Sequence, residues 1–362
     1  MSETIYNFSA GPAVLPRPVL EKAREEMLSL GGIGMSVMEI SHRSKQFAEV
    51  LERAENGLRD LLNVPGNYRI LFLQGGATLQ FSMVPVNFLG QDRIADYVLT
   101  GAWGKKAVVE ARKVGQANVI WSDEEDDFRG VPDQGELSFS KDAAYLHYTS
   151  NETIEGVEFK YELDAGGIPI VCDASSNILS KPFDLTKCAF VYAGAQKNIG
   201  PSGVCIAIVR DDMLERVPDN LPSVLDYRAI AKAGSMLNTP NTWGIYIVSL
   251  VCDWLREQGG VDALAARNLE KATLLYNAID SSDGFYTGHA SRDARSLMNV
   301  TFKLPTPDLD KKFAADAEAA GLNGLKGHRT LGGIRASIYN AFPRAGVEVL
   351  VGFMSDFAEK NG

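Results

Sequence analysis

The 362-residue chain is short of positive charge: 36 Lys and Arg stand against 46 Asp and Glu, a net charge of −10. Binding a phosphate backbone takes a basic surface, so nucleic acid is not an expected partner. Cysteine is scarce as well. The four present, Cys172, Cys188, Cys205 and Cys252, lie in or beside apolar runs, with no CxxC and no zinc spacing. They read as buried reduced thiols, and no metal is expected. No apolar run is long enough to cross a bilayer; the longest, residues 245–252, is interrupted by Ser249. The amino terminus carries Glu3 and has no apolar signal core. These absences lead us to expect a soluble cytoplasmic protein with no membrane partner.

What the chain does have is hydrophobic residues, at 45%, enough for a large core, and a length that suggests two domains. Apolar positions Phe47, Val50, Leu51, Ala54, Leu58, Leu61 and Leu62 step by three and four, which predicts a helix over 47–62, ended by Pro65 and Gly66. A shorter helix is predicted over 19–30. Strands are predicted at 69–73, 94–99, 118–121, 144–148, 168–172, 189–193 and 204–209, with helices at 79–88, 105–114 and 242–257. Strand–helix alternation with strands apolar on both faces predicts an α/β fold, a mainly parallel seven-stranded sheet with helices on both faces. A helix over 261–279 leads into a smaller α/β unit, with strands at 297–302 and 333–337 and helices at 309–320 and 347–359. We expect residues 16–258 to form the large domain, and residues 1–15 with 259–362 the small one.

The most informative stretch runs over residues 190–209. Two runs rich in β-branched residues flank Gly194-Ala195-Gln196-Lys197-Asn198 and Gly200-Pro201-Ser202-Gly203, predicting a hairpin in the core with Lys197 at its tip. Burial disfavours an ammonium, so a lysine there suits a free amine or an imine with an aldehyde. Upstream, Gln74-Gly75-Gly76-Ala77-Thr78 follows an apolar strand, and a helix is predicted to begin after Thr78. Glycines admit close backbone approach and helix-start amides bind anions, so this reads as a phosphate cup. Taken singly, Gly-Gly is equally an ordinary turn. Trp103 stands after another strand, where α/β sheets bind ligands, and could stack on a planar ring; alone it is equally a core aromatic. Asp173 ends a buried strand. It could cap a helix or pair with a protonated pyridine nitrogen. Lys197, one strand later, favours the second reading.

Two of the four histidines precede arginine, as His42-Arg43 and His328-Arg329. Each pair alone is commonly a solvated surface feature; two in an acidic chain suggest an anion site. Arg335 lies within an apolar strand and needs a partner, for which a substrate carboxylate is a candidate.

In this order, Asn7-Phe8-Ser9-Ala10-Gly11-Pro12, Ser36-Val37-Met38-Glu39-Ile40-Ser41-His42-Arg43, Asn151-Glu152-Thr153-Ile154, Ala193-Gly194-Ala195-Gln196-Lys197-Asn198-Ile199-Gly200-Pro201, Asn238-Thr239-Pro240 and Lys326-Gly327-His328-Arg329 extend over essentially the whole chain. Together they resemble the phosphoserine aminotransferase family, class V enzymes of the fold type I pyridoxal-phosphate (PLP) transferases. The resemblance implies that Lys197 carries the cofactor as an imine and shuttles the substrate proton, that Asp173 pairs with the pyridine nitrogen, and that Trp103 stacks on the ring. It implies that Gly76, Ala77, Thr78 and Gln196 hold the cofactor phosphate, that Thr153 contacts the cofactor near its phenolic oxygen, and that Asn238 and Thr239 reach the phosphate from the other subunit of a homodimer. His42, Arg43, His328 and Arg329 would take the substrate's distal anion and Arg335 its α-carboxylate. Some relatives carry arginine at the position of Thr78; its lack here leaves the distal grip to the two His-Arg pairs. The implied substrates are glutamate and 3-phosphohydroxypyruvate in serine biosynthesis, with 4-phosphohydroxythreonine of pyridoxine biosynthesis as a further one. Rival readings are another class V aminotransferase, a cysteine desulfurase and a non-catalytic PLP-binding protein. No cysteine sits in a glycine- or serine-rich loop near the carboxyl end, which disfavours the desulfurase. The substrate arginines disfavour a pure binder.

Overall fold

The structure is a computed structural model that describes residues 5–362. It opens with β1 (Tyr6–Asn7), α1 (Arg17–Glu25) and α2 (Lys45–Leu61). The Ser44 hydroxyl accepts the Phe47 amide at 3.2 Å, capping α2, whose face of Phe47, Val50, Ala54 and Leu58 is buried. Helix α1 stops at Glu25, five residues short of the periodicity, and a 3-10 turn follows at Leu30–Gly32. Leu28 is 82% exposed, so the predicted continuation would have had no core to cover.

Strand–helix alternation then builds the central sheet. The elements are β2 (Tyr68–Leu73), α3 (Gly76–Phe88), β3 (Ile94–Leu99), α4 (Ala102–Val114), β4 (Gln116–Ser122), β5 (Leu146–Thr149), a small hairpin of β6 (Asn151–Glu152) and β7 (Val157–Glu158), then β8 (Ile170–Asp173), β9 (Phe190–Gly194) and β10 (Cys205–Arg210). The seven-stranded order is β2-β10-β9-β8-β5-β3-β4. Every pairing is parallel except those of β10, which runs antiparallel to β9 and β2, so the predicted hairpin around Lys197 is present. All seven predicted strands are in this sheet. Alternate residues serve opposite faces: Ile70 and Phe72 join one core, Leu71 and Leu73 the other.

After β10 come α5 (Asp211–Leu214), α6 (Tyr227–Lys232) and α7 (Thr242–Glu257). Helices α2 and α7 cover one face of the sheet through Phe47, Leu58, Val248 and Leu255. Helices α3 and α4 cover the other through Phe81, Val84, Phe88 and Val108. Helices α3 and α4 each begin three residues earlier than predicted, at Gly76 and Ala102, so Thr78 and Trp103 belong to first turns.

The long α8 (Gly260–Asp280) leads to β11 (Thr287–Gly288), β12 (Asn299–Lys303), α9 (Pro307–Ala319), β13 (Leu322–Asn323), β14 (Ile334–Ser337) and α10 (Arg344–Asn361). A three-stranded sheet, β11-β12-β14, packs around Phe302, Phe313, Ile334 and Leu350 in a core of its own. The N-terminal β1 pairs in parallel with β13, and Phe8 enters the same core. All four cysteines are free and buried. Among the described residues no helix is long and apolar enough to cross a membrane.

Candidate active site

Six of the seven sheet strands end at one rim, and five of them deliver residues of the site there. Gly75 follows β2, Gly101 follows β3, Thr149 ends β5, Asp173 ends β8 and the Lys197 turn follows β9. This carboxyl rim is where open α/β sheets bind ligands. Lys197 is half-buried between β9 and β10. Its Nζ donates to the Thr153 hydroxyl at 2.6 Å and lies 5.4 Å from the centre of the Trp103 ring. Burial brings its pKa down to about 8, against the opposing pull of Asp173 and Glu152; the Arg335 charge adds to the fall. The turn itself is held by the first residues of the chain, since the Ala13 amide donates to the Gln196 carbonyl at 2.8 Å.

Asp173 is 3% exposed. One carboxylate oxygen, Oδ1, accepts the Ser175 amide at 2.9 Å and hydroxyl at 2.6 Å. Burial raises its pKa, while Lys197, Ser175 and Tyr192 restrain the rise. Tyr192 lies opposite Asp173 in the β8–β9 register, and its hydroxyl is 2.9 Å from His147 Nε2. Burial lowers the His147 pKa to about 3, so this imidazole is neutral.

On the β2 side the cup is an uncapped helix start. Gly75 is left-handed at φ 83°, and no side chain caps the first amides of α3. Those amides, at Gly76, Ala77 and Thr78, are donors that can take an anion. The Gln74 side-chain amide donates to the Thr239 carbonyl at 2.8 Å, so the Asn238-Thr239 segment lies against this loop of its own chain. Trp103 Nε1 is buried and has no partner. Lys106 Nζ stands 4.0 Å above the same ring.

Arg335 on β14 is half-buried; its Nη1 donates to the Thr153 carbonyl at 3.4 Å, and it makes no salt bridge among the described residues. Thr153 therefore touches both Lys197 and Arg335, joining the two sheets at one residue. His328 and Arg329 line a cleft with Lys311, Lys326 and Gly333. Burial and the charge of Arg335 lower the His328 pKa. His42 and Arg43 are not brought to Lys197 by any hydrogen bond or ion pair among the described residues. They sit before α2, with Arg43 exposed and His42 Nε2 buried without a partner.

Sequence reading missed Glu152, Glu155, Tyr192, Ser175 and His147 as parts of this site. Of these only Ser175, two residues after Asp173, carried a local signal, that of an Asx-type turn. Glu152 and Glu155 bind amides some fifty residues upstream, which no spacing within their own segment announces.

The chain is similar to known proteins over nearly its whole length. A family model described as aminotransferase class-V matches residues 5–350. A curated phosphoserine aminotransferase from Geobacillus kaustophilus is 53% identical and covers 98% of both chains. The solved structure of phosphoserine aminotransferase from Bacillus circulans subsp. alkalophilus superposes with a TM-score of 0.98 at 48% identity, covering 100% of each chain. A PLP-bound phosphoserine aminotransferase from Trichomonas vaginalis superposes at 0.92 with 41% identity, over 97% of this chain and 99% of that one. The chain belongs to the class V aminotransferases, within the phosphoserine aminotransferase family.

Proposed function

We propose that this chain catalyses reversible, PLP-dependent transamination between glutamate and 3-phosphohydroxypyruvate, giving 2-oxoglutarate and O-phosphoserine in serine biosynthesis. The observation that carries this reading is Lys197: an amine held by Thr153, facing Trp103, with Asp173 one strand away. The residues fit the cofactor. The uncapped first turn of α3 suits its phosphate, Asp173 its ring nitrogen, and Trp103 Nε1 is a buried donor that has no partner among the described residues. Bound there, PLP supplies an aldehyde that captures amines and a ring that takes up the electron pair left at the substrate α-carbon.

The protein's own part is binding, orientation and proton management. With a pKa of about 8, Lys197 can both accept and return a proton near neutral pH, as a general base and acid at the α-carbon must. Asp173 places a negative charge where the ring nitrogen's proton needs one. Arg335, unpaired by any carboxylate among the described residues, takes the substrate α-carboxylate in a bidentate grip. His328 and Arg329 hold the distal phosphate or carboxylate, joined by His42 and Arg43 of a second subunit in a homodimer. In that assembly residues 16–258 carry Lys197, and residues 1–15 with 259–362 carry Arg335 as a small domain. The biosynthetic role puts the enzyme in the cytoplasm.

The test is a spectral half-reaction on the purified, cofactor-loaded protein. Glutamate and phosphoserine are expected to bleach the cofactor band, while alanine and aspartate leave it. A protein that stays colourless with excess PLP, or is bleached equally by alanine, overturns the reading.

A further inference from the structure

Two buried carboxyl groups with no role assigned above meet at the first turn of α4. Glu152 is fully buried and accepts through both oxygens, Oε1 from the Gly104 amide at 2.8 Å and Oε2 from the Trp103 amide at 3.1 Å. Glu155 accepts the Ala102 amide through Oε1 at 3.0 Å, while its Oε2 is buried with no partner. A Cβ on Gly101 would come within 2.5 Å of Glu152 Cδ and 2.6 Å of Glu155 Oε2, so both carboxyls crowd a spot that glycine alone leaves open.

Two ionised carboxylates at such a spot repel strongly, and one is held protonated. The charged groups acting on the pair are Asp173 of β8, Lys197, Lys106 of α4 and Arg335 of β14. Burial raises both carboxyl pKa values, that of Glu155 to about 7 and that of the fully buried Glu152 further, so burial alone favours a proton on Glu152 and the hydrogen bonds decide against it. The proton has one place to sit. Both oxygens of Glu152 already face N–H donors, so the free oxygen is Glu155 Oε2.

We propose that Glu152 and Glu155 form a one-proton carboxyl pair, protonated on Glu155, that positions Trp103 for the cofactor ring. Between them they hold three successive amides, Ala102, Trp103 and Gly104, which a helix start otherwise leaves open. The same turn of chain carries Thr153, so one loop orients Trp103, Lys197 and Arg335 together. The positioning role rests on Trp103 being the ring-facing residue, as under Proposed function; the proton assignment does not.

The geometry makes the two glutamates unequal. Glu155→Gln keeps an oxygen for Ala102 and offers an N–H where the proton sits. Glu152→Gln turns an amide donor toward a backbone donor. Hydrogen exchange at Trp103 and Gly104 in the full-length protein, with and without PLP, reads the difference. E155Q is expected to keep exchange slow, and E152Q to speed it roughly tenfold or more. E152Q is also expected to shift the circular dichroism of the bound cofactor and to weaken quenching of tryptophan fluorescence by PLP. If E152Q does not fold, E155Q against Glu155→Ala decides at the Ala102 amide, because Ala removes both its acceptor and the proton. Equal exchange at Trp103 and Gly104 in E155Q and E152Q, or at Ala102 in E155Q and E155A, overturns the proposal. No cofactor band in the wild-type protein, with the exchange contrast intact, supports the pair and counts against the proposed function instead.

Discussion

At Lys197 the demands of chemistry and of folding conflict. Its folded-state pKa of about 8 lies below the ordinary 10.5. Between those values the unfolded chain binds more protons than the folded one, so the stability of the cofactor-free protein should rise with pH across that window. Lys197→Met removes both the cost and the dependence. Cofactor-free K197M is expected to be more stable at pH 7 by about 1–3 kcal/mol, with a flatter profile from pH 8 to 10.5. Denaturant unfolding at several pH values checks this; an unchanged slope would mean that the amine is not desolvated. Lys197, Asp173, Trp103 and the Gly75-Gly76 cup were legible because each punctuates the end of an apolar strand. Tyr192 and His147 were not, since their polar atoms sit among strand residues whose pattern says only that they are buried.

Among the elements, the β6–β7 hairpin has a larger role than its length suggests. Its turn presents Thr153 to Lys197 and Arg335, and Gly156 closes it at φ 72°. A Cβ there would lie 2.5 Å from the Asn299 carbonyl oxygen. Gly156→Ala is therefore expected to cost about 2–4 kcal/mol, from a left-handed backbone and a clash with main chain. It should also raise KM for both substrates by loosening the contact of Arg335 with Thr153. Chemical denaturation and steady-state kinetics together test this, and a wild-type KM in a destabilised variant would separate the hairpin from the site. Two-residue strands such as β1, β6, β7 and β13 are too short to show a period of two, so they were invisible in the sequence. The starts of α3 and α4 were placed late for a related reason. Gly75 and Gly101 are not side-chain caps, and the groups that hold α4, Glu152 and Glu155, come from a distant segment. The main sheet was legible throughout because its strands are apolar on both faces.

For the whole molecule, the proposed homodimer predicts that sites are completed across subunits. If Arg43 serves the partner's Lys197 site, K197A and Arg43→Ala homodimers are each inactive or crippled, yet mixing unfolded chains one to one and refolding restores one intact site per hybrid. Random pairing then recovers about a quarter of wild-type activity. No recovery would place Arg43 in its own subunit's site or outside both. A different consequence follows from the way the two ends of the chain meet. The Ser337 amide donates to the Phe8 carbonyl at 3.2 Å, the Tyr339 hydroxyl reaches the Ala10 carbonyl at 2.8 Å, and Ala13 holds the Lys197 turn. The segment that braces the Lys197 turn is thus itself held by contacts 329 positions apart in the sequence. Closing so long a loop is slow, so a folding chain carries Lys197 in water with ordinary basicity, largely protonated and slow toward aldehydes, until these distant segments dock.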